Sequence, residues 1–228
     1  DTYGDSFTFC REVTDNETWQ IYLSNLTKIN VKNFGVGNYG FDQALLRLKR
    51  EYSNSSAKIV VIGTVPETII RIHSSWKHFS EYGNIYAFKP RFCLYKGGIK
   101  FIENSIKDLN QVRQLKKYLP ELKKNDSLYK EKFLKDILHF PFSITILKNP
   151  RRNIELIYYL ILRKINPKKY SHKPTEIVLK HNDLLTMKFY KTQKYRNLFK
   201  ELICEFDSFA KKNNLIPVFV ILPYLSDI

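Results

Sequence analysis

Ser6 is the residue whose neighbours best equip it for chemistry. It stands in the run Gly4-Asp5-Ser6-Phe7-Thr8-Phe9. Glycine allows a tight turn, and aspartate can hydrogen-bond its own backbone and fix the bend. A serine set there lands at a strand-to-helix junction, where free backbone N–H groups can hold a developing oxyanion. The chemistry would be attack on an ester carbonyl, with a base taking the serine proton. The same tripeptide also suits an ordinary surface turn, so the downstream segments must decide between the two.

Other reactive side chains are less well set. His73 and His78 lie five apart, a spacing that does not bring both to one helix face. His172 falls in a polar stretch, and His181 precedes Asn182-Asp183, which reads as a helix cap. None has trustworthy metal-ligand spacing to an acidic partner, so no metal site is expected. Cys10, Cys93 and Cys204 are widely spaced with no Cys-x-x-Cys, which predicts free and mostly buried thiols. The glycine-rich run Gly35-Val36-Gly37-Asn38-Tyr39-Gly40 follows the second strand, not the first, and no dinucleotide or other cofactor is expected from it.

These residues need elements to position them. Thr14 and Glu17 form a capping-box pattern ahead of Trp19, Tyr22, Leu23 and Leu26 at helical spacing. A short strand at 30–34 enters the glycine-rich turn, and a helix follows over 42–52 with Ala44, Leu45 and Leu48 on one face. The apolar run 58–63 reads as a strand buried on both faces, and Pro66 opens a further helix anchored by Ile69, Ile70 and Trp76. Strand and helix alternate, which predicts a parallel sheet covered on both faces. Ser6, the 35–40 turn and the 63–67 segment all follow strands, and so belong on one rim, where such sheets bind ligands.

The middle of the chain reads differently. Short strands around a Lys96-Gly97-Gly98-Ile99 hairpin turn lead into a lysine-rich helical region over 105–139, interrupted by Pro120. An apolar helix within 149–165 and a polar linker over 167–174 follow. A long helical segment over 183–213 and a buried strand over 216–223 resume the first rhythm. The expected organisation is therefore a core in two parts, 1–88 and 176–228, with an insertion or cap over 89–175. A chain that starts just before Gly4 and stops just after a core strand is expected to be cropped at both ends.

Three segments taken together resemble the SGNH (GDSL-type) hydrolases: Gly4 to Phe9, then Asn33-Phe34-Gly35-Val36-Gly37-Asn38-Tyr39-Gly40-Phe41-Asp42-Gln43, then the buried strand ending at Gly63. The resemblance covers roughly residues 1–80 and, more weakly, 185–228. It implies a flavodoxin-like three-layer α/β/α fold and an esterase or acyltransferase. It places the nucleophile at Ser6, whose N–H would be one oxyanion donor, and a second backbone donor at Asn38. Asp5, Gly37, Glu67 and Thr68 become neighbours of the site. Two departures from the family pattern stand out. Asn38 occupies a glycine position, although asparagine tolerates positive φ. Glu67-Thr68 replaces an Asn-Asp pair whose asparagine would donate, and an ionised carboxylate cannot. The family's Asp-x-x-His has no counterpart after Phe219, since Asp227 has no histidine behind it. Asp136-Ile137-Leu138-His139 spells the pattern in the wrong region, and the acid and base are expected beyond Ile228.

Composition sets the outer bounds. The chain has 228 residues, 43% hydrophobic, with a net charge of +16. That charge suits a nucleic-acid or anionic-glycan partner, but the lysine doublets are dispersed and lysine far outnumbers arginine, which an AT-rich genome also produces. No apolar run reaches the ~18 residues of a membrane span. The first residues are not a secretory signal, but with a start expected to be cropped the compartment is unknown, cytoplasm or cell envelope. The expectation is a serine esterase or O-acyltransferase acting on a small-molecule or glycan ester, with a degraded glycan-binding module as the alternative and a basic nucleic-acid binder behind both. Oligomeric state is not legible.

Overall fold

The computed structural model describes residues 1–224 and divides into two compact units. The first comprises 1–73, 90–103 and the chain from 192; the second comprises 74–89 and 104–191. Compared with the boundaries expected from sequence, residues 74–88 and 176–191 fall with the helical unit and the hairpin at 90–103 falls with the sheet.

In the first unit four strands, β1 (Thr2–Gly4), β2 (Asn33–Gly35), β3 (Ile59–Thr64) and β6 (Ile216–Ile221), form a parallel sheet in the order β2-β1-β3-β6. The order reverses beside the first strand, the arrangement of flavodoxin-like sheets. The period-2 alternation of a strand sends Tyr3 to one face and Thr2 and Gly4 to the other. On the Tyr3 face lie α3 (Phe41–Glu51) and a long helix near the C-terminus, α5 (Gln193–Lys212). Tyr3 stacks on its register neighbour Phe34 with ring centres 4.9 Å apart. Phe41 meets Phe199, Phe206 and Phe219 edge-on at 5.2–6.0 Å. Leu45, Leu48, Ile62, Ile69, Leu198 and Leu202 complete this core. The opposite face carries α1 (Ser6–Phe9) and α2 (Trp19–Thr27), whose Gln20 donates to Thr2 Oγ1 at 3.1 Å and to the Thr8 carbonyl at 2.6 Å. The architecture is thus three layers, α/β/α, with helical insertions.

Several elements depart from the sequence reading for identifiable reasons. The helix after Pro66 is a single turn, α4 (Thr68–Arg71). It stops early because the N–H groups of Ser75 and Trp76 are taken by buried Asp126 at 2.7 and 3.0 Å. Among the described residues strand β6 is half-exposed, not buried: it pairs there with β3 alone, and Ile216 and Ile221 are 58% and 51% accessible. Pro217 is tolerated in it because an edge strand can spare a donor. The 183–213 segment is two helices. Thr192 is extended, and its carbonyl restarts the helix by accepting from Tyr195 and Arg196. The first of the two runs Lys173–Lys191, so His181 and Asn182 lie inside a helix and cap nothing.

The expected hairpin forms, and the remaining differences concern the linker and one proline. β4 (Arg91–Tyr95) and β5 (Gly98–Ile102) pair antiparallel through a two-residue loop, Lys96-Gly97, with both residues at positive φ (45° and 80°). That is the turn sense which matches strand twist. The polar stretch after Pro167 is helical, opened by a proline at the first position and by Asn166 accepting from the Lys169 N–H. Pro120 does not interrupt its helix but lies within Leu115–Asn125, losing one backbone bond while Leu122 is buried two residues on.

The second unit is otherwise helical, built around the helices Pro150–Ile165 and Lys173–Lys191 and a π-helical turn at Tyr129–Phe133. Asp126 organises its start, accepting also from the Ser74 and Ser75 hydroxyls and from the Leu128 N–H. Among the described residues no helix is long and apolar enough to cross a membrane.

Candidate functional site

The Gly4-Asp5-Ser6 turn sits at the carboxyl end of β1, the strand between β2 and β3. Asp5 is fully buried and caps α1: one carboxylate oxygen accepts from the Phe7 N–H at 3.0 Å, and the other accepts from the Val65 N–H at 2.8 Å. The first bond is the local turn that aspartate favours. The second ties the loop after β1 to the loop after β3. Ser6 is half-buried at the first position of α1. No histidine hydrogen-bonds it among the described residues. Because α1 is one turn long, any oxyanion binding rests on individual N–H groups and not on a helix dipole.

Space for α1 comes from a row of glycines. Gly4 is in register with Gly35 on one side and Gly63 on the other. A Cβ on Gly4 would lie 1.9 Å from the Gly63 carbonyl oxygen, and one on Gly35 would lie 2.3 Å from the Phe9 nitrogen. The helix therefore rests on bare backbone. Thr8 Oγ1, in the gap so created, donates to the Gly63 carbonyl at 2.9 Å.

Asn38 lies in the loop after β2 with φ at 66°, the left-handed conformation that asparagine accepts more readily than most residues. Gly37, beside it, faces open space. The loops after β1, β2 and β3 are joined by one side chain, Arg71. Its guanidinium donates to Glu67 Oε2 at 2.7 Å, to the Tyr39 carbonyl at 3.1 Å and to Asp5 Oδ2 at 3.4 Å. Burial works against the Arg71 charge, but Glu67 and then Asp5 more than compensate, and its pKa is raised. The Arg71–Glu67 pair follows from i,i+4 spacing. The reach to Asp5 and Tyr39 carries no sequence signal, because it depends on where three separate loops meet.

Glu67, at the position where the resemblance wants a donor, is thus committed to a cation. Thr68 is buried and its hydroxyl accepts from the Phe41 N–H at 2.8 Å, closing the start of α3. Asp136 and His139 do not meet: Asp136 pairs with Lys132 and Arg152, and His139 Nδ1 faces the Phe140 carbonyl. Asp227 lies outside the described residues. His73 is buried with Nε2 3.2 Å from the Tyr195 carbonyl. The cysteines are less buried than expected: Cys10 and Cys93 are half-buried and Cys204 is exposed. Cys10 ends α1 at φ 62°, where its side chain faces Gln20 and does not enter the core. Among the described residues no group of three or more His, Cys, Asp or Glu is set to hold a metal ion.

Comparison with protein-family models, with curated proteins and with solved structures finds no match. What the fold and rim define is a class: an α/β protein on a parallel sheet flanked by helices, an architecture consistent with hydrolases and acyltransferases broadly.

Proposed function

We propose that the chain is an SGNH-type serine ester hydrolase or O-acyltransferase with Ser6 as its nucleophile, acting on an acylated carbohydrate. One observation carries the reading. Ser6 emerges at the carboxyl end of β1 in a turn locked by Asp5 to the β3 loop, while Arg71 holds the neighbouring β2 loop, with Asn38 at positive φ, against the same turn. In this scheme Ser6 Oγ bonds to the ester carbonyl carbon as a base takes its proton. The N–H groups of Ser6 and Asn38 hold the resulting oxyanion. Collapse breaks the ester C–O bond, the alcohol leaves with a proton, and water or a sugar hydroxyl then removes the acyl group from Ser6. Asp5, Gly37, Glu67 and Thr68 shape the surroundings and take no covalent part.

The commitment of Glu67 to Arg71 favours a second reading, a glycan-binding module that has lost turnover, because that position then supplies no side-chain donor. Turnover of p-nitrophenyl acetate by the full-length protein separates the two. The proposal expects hydrolysis that falls about a thousand-fold or more in Ser6→Ala. Equal rates in the two proteins overturn it.

A further inference from the structure

The helix Pro150–Ile165 turns a row of apolar side chains outward. Ile154, Tyr158, Ile161 and Ile165 recur at spacings of four, three and four, so at about 100° per residue they fall within an arc of about 60°. They are 59%, 56%, 55% and 74% accessible. The residues this helix buries, Arg152 and Asn153, are polar and lie on its other side, donating to the Asp136 and Thr145 carbonyls. A surface helix ordinarily has the reverse pattern, apolar toward the core and polar toward water. From Ile154 to Ile165 the stripe runs about 16 Å, at ~1.5 Å per residue. The preceding helix, Phe142–Lys148, also leaves Phe142, Ile144 and Leu147 each more than half accessible. Apolar side chains gathered on the surface in this way mark an interaction site, whereas scattered ones do not.

The margins of the stripe select the partner. Arg151 borders it on one side and Lys164 on the other, and both are exposed. Lys148 precedes the helix, Lys168 and Lys169 follow it, and all three are exposed as well. Among the described residues none of these cations forms an ion pair. The helix carries one carboxylate, the half-buried Glu155. An anionic lipid surface matches both features at once. Hydrocarbon takes the stripe, and the headgroups take Arg and Lys, whose aliphatic stems lie along apolar surface. Other partners answer only one feature. A nucleic acid would neutralise the cations and leave the apolar row in water. A second copy would cover the row but set Arg151 and Lys164 against the same cations of its twin, on a chain whose net charge is +16.

We propose that the second unit docks on an anionic bilayer surface through this helix. The helix lies in the plane of the interface, with Ile154, Tyr158, Ile161 and Ile165 in the acyl boundary and Arg151 and Lys164 among the headgroups. The surface lies wholly within the second unit and does not depend on the role of Ser6.

The test is co-sedimentation of the full chain with vesicles of phosphatidylcholine alone and of equimolar phosphatidylcholine and phosphatidylglycerol. Binding to the mixed vesicles should be about tenfold or more tighter, and high salt should weaken it. Ile154→Ser with Ile161→Ser, or Ile161→Ser with Ile165→Ser, leaves the charge unchanged. Each pair should weaken binding to the mixed vesicles about tenfold or more. These side chains already face water, so both pairs should keep the parent melting curve, and weaker binding cannot be ascribed to unfolding. Arg151→Gln with Lys164→Gln should cost about tenfold. The charge-matched pair Lys58→Gln with Lys212→Gln, in the first unit, should cost less. No binding to the mixed vesicles, equal binding to both kinds of vesicle, or binding unchanged in both serine pairs overturns the proposal. So does a dimer in size-exclusion chromatography that the serine pairs dissolve, because the stripe would then belong to a second copy.

Discussion

Tyr3 brings a hydroxyl into the core that finds no hydrogen-bond partner among the described residues. Burial, with a smaller push from Glu51 that Arg47 partly opposes, raises its pKa from 10.0 to about 12. Between those values the unfolded chain releases this proton while the folded chain keeps it, so stability falls as pH rises through the window. Tyr3→Phe should remove that part of the alkaline slope in urea unfolding measured from pH 9 to about pH 12. It should leave stability at pH 7 unchanged or slightly higher, because an unpaired buried hydroxyl is itself costly. An alkaline slope identical in both proteins would refute this account of Tyr3. Residues announced themselves in sequence where chemistry is local: the Asp5 turn at Ser6 and the positive φ of Asn38 both follow from side-chain type. Arg71 beyond its pair with Glu67, Gln20 beneath α1 and the unpaired Tyr3 hydroxyl did not, because each depends on contacts made across the sheet.

Among elements, the α1 turn is unusual in resting on backbone instead of on side chains. The Gly4-Gly35-Gly63 row makes this possible, and the geometry discriminates sharply between neighbouring glycines. A methyl on Gly35 collides with the Phe9 backbone, which cannot move without displacing α1, whereas one on Gly37 meets nothing within 4 Å. Gly35→Ala should therefore cost about 2–3 kcal/mol and lower Tm by roughly 5–10 °C. Gly37→Ala should stay within about 0.5 kcal/mol of the parent. Differential scanning calorimetry of the pair decides the matter, and equal Tm values would show that the row is not a packing device. The alternation of strands and helices was readable because apolar runs and glycine turns mark it. Helix ends were less readable. The stop after Arg71 depends on Asp126, far along the chain, and the break at Thr192 carries no Gly or Pro to announce it.

For the whole molecule, the division into two compact units makes local opening of either one testable. Within the helical unit Asp126 accepts bonds from groups of Ser74, Ser75, Trp76 and Leu128. Asp126→Ala should cost that unit about 3 kcal/mol or more. Hydrogen-exchange mass spectrometry should then show faster exchange across 74–89 and 104–191 with the sheet strands unchanged; a uniform increase throughout the chain would contradict the division. The same division was hard to read from sequence, since composition changes near residue 89 while the contacts change at 74, and a short hairpin gives no sign of which partner it joins. The pairing of β3 with β6 has a further consequence. Ile59 is matched with Ile216 across the entire second unit, whereas β1, β2 and β3 need only the first third of the chain. On a ribosome, synthesis from the N-terminus would expose the β3 edge long before its partner exists. During that interval the unpaired edge is open to any other extended segment nearby, so the time taken to make the helical unit sets how long the growing chain is vulnerable to mispairing.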